Sequence, residues 1–95
     1  HITSKRNFDC FQDTELDMLL KRTLNVKNII ICGVNTDTCV YGTTFGASNR
    51  GYNHIVIECC TGSMRGEDQH KTALKIMSQS IAWVMRKEEI LNKLN

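Results

Sequence analysis

Apolar positions along the chain recur with two periods, and each change of period marks an element. The first signature opens at Thr14, an N-cap residue followed by acidic Glu15 and Asp17, with Leu16, Met18, Leu19, Leu20 and Leu24 supplying an apolar face. It predicts a helix over 15–23. Next, Asn28-Ile29-Ile30-Ile31-Cys32 is a β-branched, almost unbroken apolar run, the pattern of a strand buried on both faces of a parallel sheet. Gly33 to Asp37 reads as a turn, with Asp37 as a candidate N-cap of the next helix in preference to a catalytic base. Over 38–49, Cys39, Val40, Thr43, Thr44 and Ala47 return at helical spacing until Gly51 ends the element. A second strand over 52–59, centred on Ile55-Val56-Ile57, completes a βαβ unit whose crossover is expected to be right-handed. A helix over 68–78 carries Leu74, Ile76 and Met77, and Ile81-Ala82-Trp83-Val84 reads as a short last strand. The terminal helix over 86–94 has Glu88 and Glu89 early and Lys93 late, which suits its macrodipole. Alternating helices and strands predict an α/β layer fold around a parallel sheet.

Composition narrows the class. With 95 residues, 41% hydrophobic and 23% charged, the chain has the make-up of a packed domain rather than a disordered segment. It contains no proline, repeat or linker, so residues 1–95 form one unit, a small domain or part of one. A net charge of +2, scattered along the chain, gives no basic stripe for nucleic acid. The apolar runs are only a few residues long, against the roughly 20 needed to span a bilayer. The polar, basic start has no apolar stretch behind it, so no secretory signal is recognised and a cytoplasmic location is expected. Position 1 is not Met, and a further segment upstream is expected. The five cysteines are odd in number and form no C-x-x-C pair, so reduced thiols are expected.

Ligands of open α/β sheets sit beyond the carboxyl ends of the strands, which directs attention to the loop after Cys32. Cys39 falls in the first turn of the next helix, where unpaired N–H groups and the dipole favour an anion. Two readings stand side by side: a nucleophilic thiolate, or a small apolar side chain packed at a helix start. Cys32, at the end of an apolar strand, is expected in the core, and Cys10, Cys59 and Cys60 are expected to be structural. Lys5 alone reads as a solvated lysine, and Thr36 as a turn residue bonding its own backbone. His54 and His70 belong to no metal-ligand spacing and are assigned to surface or packing.

Two motifs then carry a resemblance. Gly33-Val34-Asn35-Thr36-Asp37-Thr38-Cys39-Val40, followed by Thr43-Thr44, Ala47 and Gly51-Tyr52, resembles the G-[VI]-x-T-x-x-C-V segment of the isochorismatase-like cysteine hydrolases. That superfamily includes nicotinamidases, N-carbamoylsarcosine amidases, and biuret and ureidoacrylate amidohydrolases. Upstream, Lys5, Phe11, Thr14 and Leu16 resemble the family's K-x5-F-x-x-T-x-L segment, and His70 with Leu74 resembles its late helix. The resemblance runs from Lys5 to Ile90, nearly all of this chain but only the second half of the family's domain. It implies a Rossmann-like, three-layer α/β hydrolase fold of which this chain is the C-terminal part.

The resemblance also implies roles. Cys39 would attack an amide or ureido carbonyl and form a thioester, with ammonia or an amine leaving. Lys5 would lie beside the thiol as a triad member. The Val34–Asn35 peptide bond would be cis, turning the Asn35 N–H to join that of Cys39 in an oxyanion hole, with Val34 and Thr36 lining or supporting the loop. The implied partner is a small amide or ureide, and no cofactor is implied. The family's third triad member, an aspartate general base on the domain's first strand, has no match before Lys5, and its metal ligands belong to that same part. No metal is therefore assigned. Cys59-Cys60 replaces the Asp-Ala pair of many relatives. Association with an N-terminal half, or a homo-oligomer, is expected to cover the edges of so small a sheet. Two other readings remain: a truncated, non-catalytic member of the fold, and a redox-responsive thiol protein.

Overall fold

A computed structural model describes residues 3–94. A three-stranded parallel sheet in the order β1-β2-β3 organises them, with β1 at Asn28–Val34, β2 at Asn53–Gly62 and β3 at Trp83–Met85. Helix α2 (Cys39–Asn49) follows β1, α3 (Glu67–Ser80) follows β2, and α4 (Lys87–Leu94) follows β3. Helices α2 and α3 pack on neighbouring strands and touch each other, while α4 meets β2 with Ile90 buried. The predicted α/β class with a parallel sheet is the observed one.

The element ends differ from the sequence reading where side chains alone mark no boundary. Both β1 and β2 run on past their apolar centres, to Val34 and Gly62, because their backbones stay paired through Gly33↔Thr61 and Val34↔Gly62. The last strand lies two residues later than predicted at its start, since Ile81 and Ala82 bond back to the Met77 carbonyl and close α3 instead. The helix expected over 15–23 is a short α-helix, α1 (Leu16–Met18), that widens into a π-helix at Leu19–Thr23. There the Leu24 N–H reaches the Leu19 carbonyl, five residues back, at 3.0 Å. Asn25 then takes a left-handed φ of 52°, a conformation asparagine tolerates better than most residues, and turns the chain into β1.

Strand β1 is buried on one face, not both. Its Ile31 pairs with Val56 and both are buried, joined in one cluster by Val40 and Ala47 of α2 and by Ala73, Leu74 and Met77 of α3. The next row across the sheet, Ile30, Ile55 and Trp83, points the other way and leaves Ile30 48% and Trp83 68% exposed. The cluster is extended by Phe11, stacked on Tyr52 at a 5.5 Å centroid distance, with the Arg50 guanidinium over Phe11 and the Lys21 ammonium over Tyr52. The Tyr52 hydroxyl donates to the Asp17 carboxylate at 2.7 Å, and burial first, then this bond, pushes the phenol up to about 12.

Met77 has no exposed surface, whereas its neighbour Ile76 is 41% exposed. Met77→Ala should therefore cost about 2–5 kcal/mol through the cavity it leaves. Ile76→Ala should cost under about 1 kcal/mol. Urea unfolding midpoints of the two variants check the contrast, and equal losses would mean that the core does not centre on Met77.

Candidate active site

The carboxyl end of β1 and the amino end of α2 place the residues of the first motif. Cys39 is the first residue of α2, and among the described residues neither its N–H nor that of Asn35 has an acceptor. The Val34–Asn35 peptide bond is cis, as the resemblance implies. Asn35 serves the loop in other ways: its carbonyl accepts from Thr38 and Val40, and its side-chain oxygen accepts the Met64 N–H at 2.9 Å. Thr36 is fully buried and does not bond its own backbone. Its hydroxyl meets His70 Nδ1 of α3 at 2.7 Å, and its N–H donates to the Gly62 carbonyl at 2.9 Å. His70 and His54 are both buried, which settles them as packing residues rather than surface ones.

Asp37 is not an N-cap. Its carboxylate instead accepts from the Ser63 hydroxyl at 2.7 Å and from Arg65 at 2.9 Å, tying the loop before α2 to the loop after β2. The Ser63 bond first, then Arg65, holds the carboxyl below its ordinary value.

Lys5 arrives from the other side. Its ammonium lies 3.8 Å from Cys39 Sγ, although 34 residues separate the two in sequence. The strap that carries it, residues 5–11, lies on α2 because that helix presents glycines at positions 42 and 46. A Cβ on Gly42 would sit 3.3 Å from the Asp9 nitrogen and Phe8 Cβ, and one on Gly46 would collide with the Asp9 carboxylate. Thr43, between them, accepts the Cys10 N–H at 3.1 Å and donates to the Phe8 carbonyl at 3.2 Å. Asp9 closes the attachment with an ion pair to Arg50 at 3.2 Å. Sequence reasoning took Thr43 for a plain helix position and missed Gly42, Gly46, Asp9 and Arg50. The Gly-x-x-x-Gly spacing was the available signal.

A cleft of about 300 Å³ opens where the strap meets the sheet. Lys5, Cys39, Cys10, Cys32 and Thr43 give it polar and soft groups, and Ile31, Val34 and Val40 give it apolar walls. The expectation for Cys32 is corrected here: it is exposed in this cleft rather than in the core, because it lies on the uncovered side of β1. Half-buried Cys10 packs against the core cluster, as expected of a structural cysteine, and also borders the cleft. Cys59 and Cys60 are exposed too, which removes the packing role expected of them. Among the described residues, no group of three or more His, Cys, Asp or Glu is placed to hold a metal, and no helix is long and apolar enough to cross a membrane.

The model of the isochorismatase domain matches residues 1–89, and the chain belongs to that family. An isochorismatase family protein of Escherichia coli O157:H7, YecD, is 32% identical over 90 residues, covering 95% of this chain and 47% of its own. Among solved structures, an isochorismatase-like hydrolase from Alkaliphilus metalliredigens superposes with a TM-score of 0.93 at 27% identity, over 100% of this chain and 50% of that one. The nicotinamidase of Staphylococcus aureus does so with a TM-score of 0.84 at 34% identity, over 90% of this chain and 53% of that one. The chain thus spans between about a third and about half of the length of the relatives it matches.

The supports of the site can be tested separately. Gly46→Ala should lower stability by about 1–3 kcal/mol through overpacking against Asp9. Gly62→Ala, where an added Cβ meets nothing within 4 Å, should be near neutral by the same urea titration. Asp37→Asn should destabilise at pH 7, since a carboxyl depressed in the fold contributes stability above its unfolded value near 3.8. That contribution fades as pH falls through the lower folded value, so the gap between variant and parent should close in acid. A gap that persists there would mean the carboxylate's charge is not what holds the loop.

Proposed function

We propose that this chain carries the nucleophilic part of a hydrolase that cleaves the C–N bond of a small amide or ureide through a thioester on Cys39. The observation that carries the reading is the 3.8 Å approach of Lys5 Nζ to Cys39 Sγ at a helix start. A cation and a helix N-terminus both favour the thiolate, the form that attacks a carbonyl carbon. Attack forms the C–S bond and moves the carbonyl π electrons onto oxygen. The Asn35 and Cys39 N–H groups stabilise that oxyanion. Collapse expels ammonia or an amine, which takes up a proton, and water then cleaves the thioester to a carboxylic or carbamic acid. Val34 bounds the cleft, and Thr36 fixes the loop that presents Asn35.

The substrate class is supported by the nicotinamidase among the neighbours. The chain serves as the C-terminal part of the domain, and it functions with an N-terminal part bound to it, or as an oligomer. Deprotonating the thiol and protonating the leaving amine call for a general base, by the family resemblance an aspartate, and no carboxylate lines this cleft among the described residues.

The test uses the longest polypeptide that contains the chain. Ammonia release from a panel of primary amides and ureides should be detectable, with a thioester adduct at Cys39 by peptide mass spectrometry. Cys39→Ala should lower kcat/KM by at least about 10³-fold. Lys5→Met should lower it by about 10²-fold or more, and should slow alkylation of Cys39 by iodoacetamide. Activity that survives Cys39→Ala would end the nucleophile reading. A Cys39 that alkylates no faster than Cys10, with no turnover on any substrate, would favour the non-catalytic member of the fold.

A further inference from the structure

Outside the Lys5–Cys39 cleft, β2 carries a second concentration of thiols. In a regular strand, consecutive side chains point to opposite faces, so adjacent cysteines face apart. Here the register breaks at that point: Ile31 pairs with Val56, but Gly33, two residues on, pairs with Thr61. Residues 57–60 of β2 therefore stand opposite Cys32 alone, and the alternation is lost. The Cys59 and Cys60 sulfurs come within 4.0 Å of each other, both exposed and both free. Two thiolates each about 2.3 Å from one ion would be separated by about 3.8 Å at a tetrahedral angle and by about 4.6 Å with the ion in line between them, and the observed distance falls within that span. The pair thus stands close to the bite distance of a chelate before any ligand arrives.

We propose that Cys59 and Cys60 form a bidentate thiolate site for soft, thiophilic Lewis acids, the class of monovalent copper and trivalent arsenicals. The proposal does not rest on the hydrolase reading. Two ligands, with no third residue among those described placed to complete a tetrahedral protein site, fit ions that accept low coordination rather than structural zinc. A cation held between the two sulfurs removes the repulsion that opposes a second thiolate. With an organoarsenic oxide, two As–S bonds form, the As–O bond breaks, and the oxygen leaves with both thiol protons as water. No atom changes oxidation state. With monovalent copper, the two protons pass to solvent and the ion bridges the thiolates.

One equivalent of phenylarsine oxide is added to the reduced chain, followed by iodoacetamide and peptide mass mapping. The expected result is one adduct on the peptide holding Cys59 and Cys60. Both should be protected from alkylation while Cys39 and Cys10 are not, and a small competing dithiol should reverse the adduct. Cys59→Ser and Cys60→Ser should each weaken binding at least tenfold, and Cys32→Ser should leave it unchanged. Monovalent copper, delivered from a competing chelator, should bind one to one and be lost in the same two variants. An adduct mapped elsewhere, binding that survives either serine variant, loss of binding in Cys32→Ser, or no copper uptake would overturn the proposal. The protection pattern is measured on the unmutated chain, so it stands even if a variant misfolds.

Discussion

Residues 5–11 can lie on α2 only because the helix surface is missing two side chains there, and the geometry of the candidate site descends from that contact. Gly42 and Gly46 are one turn apart and share a face, so their absent Cβ atoms leave a shallow channel. Glycine in a helix interior costs roughly 1 kcal/mol against alanine. Two of them in one 11-residue helix run against local preference, and the docked strap supplies the compensation. Thr43 then bonds both sides of the Phe8–Cys10 segment, and Arg50 holds Asp9 from the end of the same helix. The Lys5 ammonium reaches Cys39 as the end result of this attachment rather than through any contact of its own with the loop.

The opposite side of the site is held by a different kind of contact. Where the strap is seated by backbone approach, the loop from Val34 to Thr38 is tied by side chains to the segment between β2 and α3 and to α3 itself. Thr36 to His70, Asp37 to Ser63 and Arg65, and Asn35 to the Met64 N–H all cross the same gap. The Thr36–His70 bond is buried, and a buried polar pair that is broken leaves an unsatisfied group worth about 1–3 kcal/mol. The start of α2 is thus clamped between two structures that are far apart in sequence. The loop carries Asn35 and leads into Cys39 at the start of α2, and the clamp fixes the direction in which their N–H groups point.

The layer order of the fold was readable because apolar period and length differ sharply between strands such as 28–32 and helices such as 68–78. Cys39 stood out as a candidate through its place at a helix start, and only the paired motifs linked it to Lys5. What could not be read was which face of a strand another element covers. Ile29, Ile30 and Ile31 look alike in sequence, yet Ile31 is buried in the core, Ile29 only packs against it and Ile30 faces away, and Cys32, on the side of Ile30, opens on the cleft. Polar partnerships across long separations were equally silent. Asp37 has the local pattern of a cap, but an arginine 28 residues away offers a stronger, charge-assisted bond than a single N–H. The π-helical turn at Leu19–Thr23 was missed for the same reason, since its residues keep a helical apolar period and the widening shows only in hydrogen bonds.

The proton inventory of the cleft bears on what the chain needs around it. Thioester chemistry on an amide requires one group to take the thiol proton and return it to the departing nitrogen, and an ammonium is a donor without acceptor capacity. No carboxylate lines the cleft among the described residues, and the nearest acid in sequence, Asp37, is already engaged by Ser63 and Arg65 and depressed by them, which makes it a poor proton carrier. The proposed chemistry therefore calls for a base on a structure that also reaches the carboxyl end of β1. Among the described residues strand β1 is an edge of this sheet, and on the face away from α2 and α3 both Ile30 and Trp83 stay exposed, so the base can be supplied only from outside the surfaces that α2 and α3 already cover.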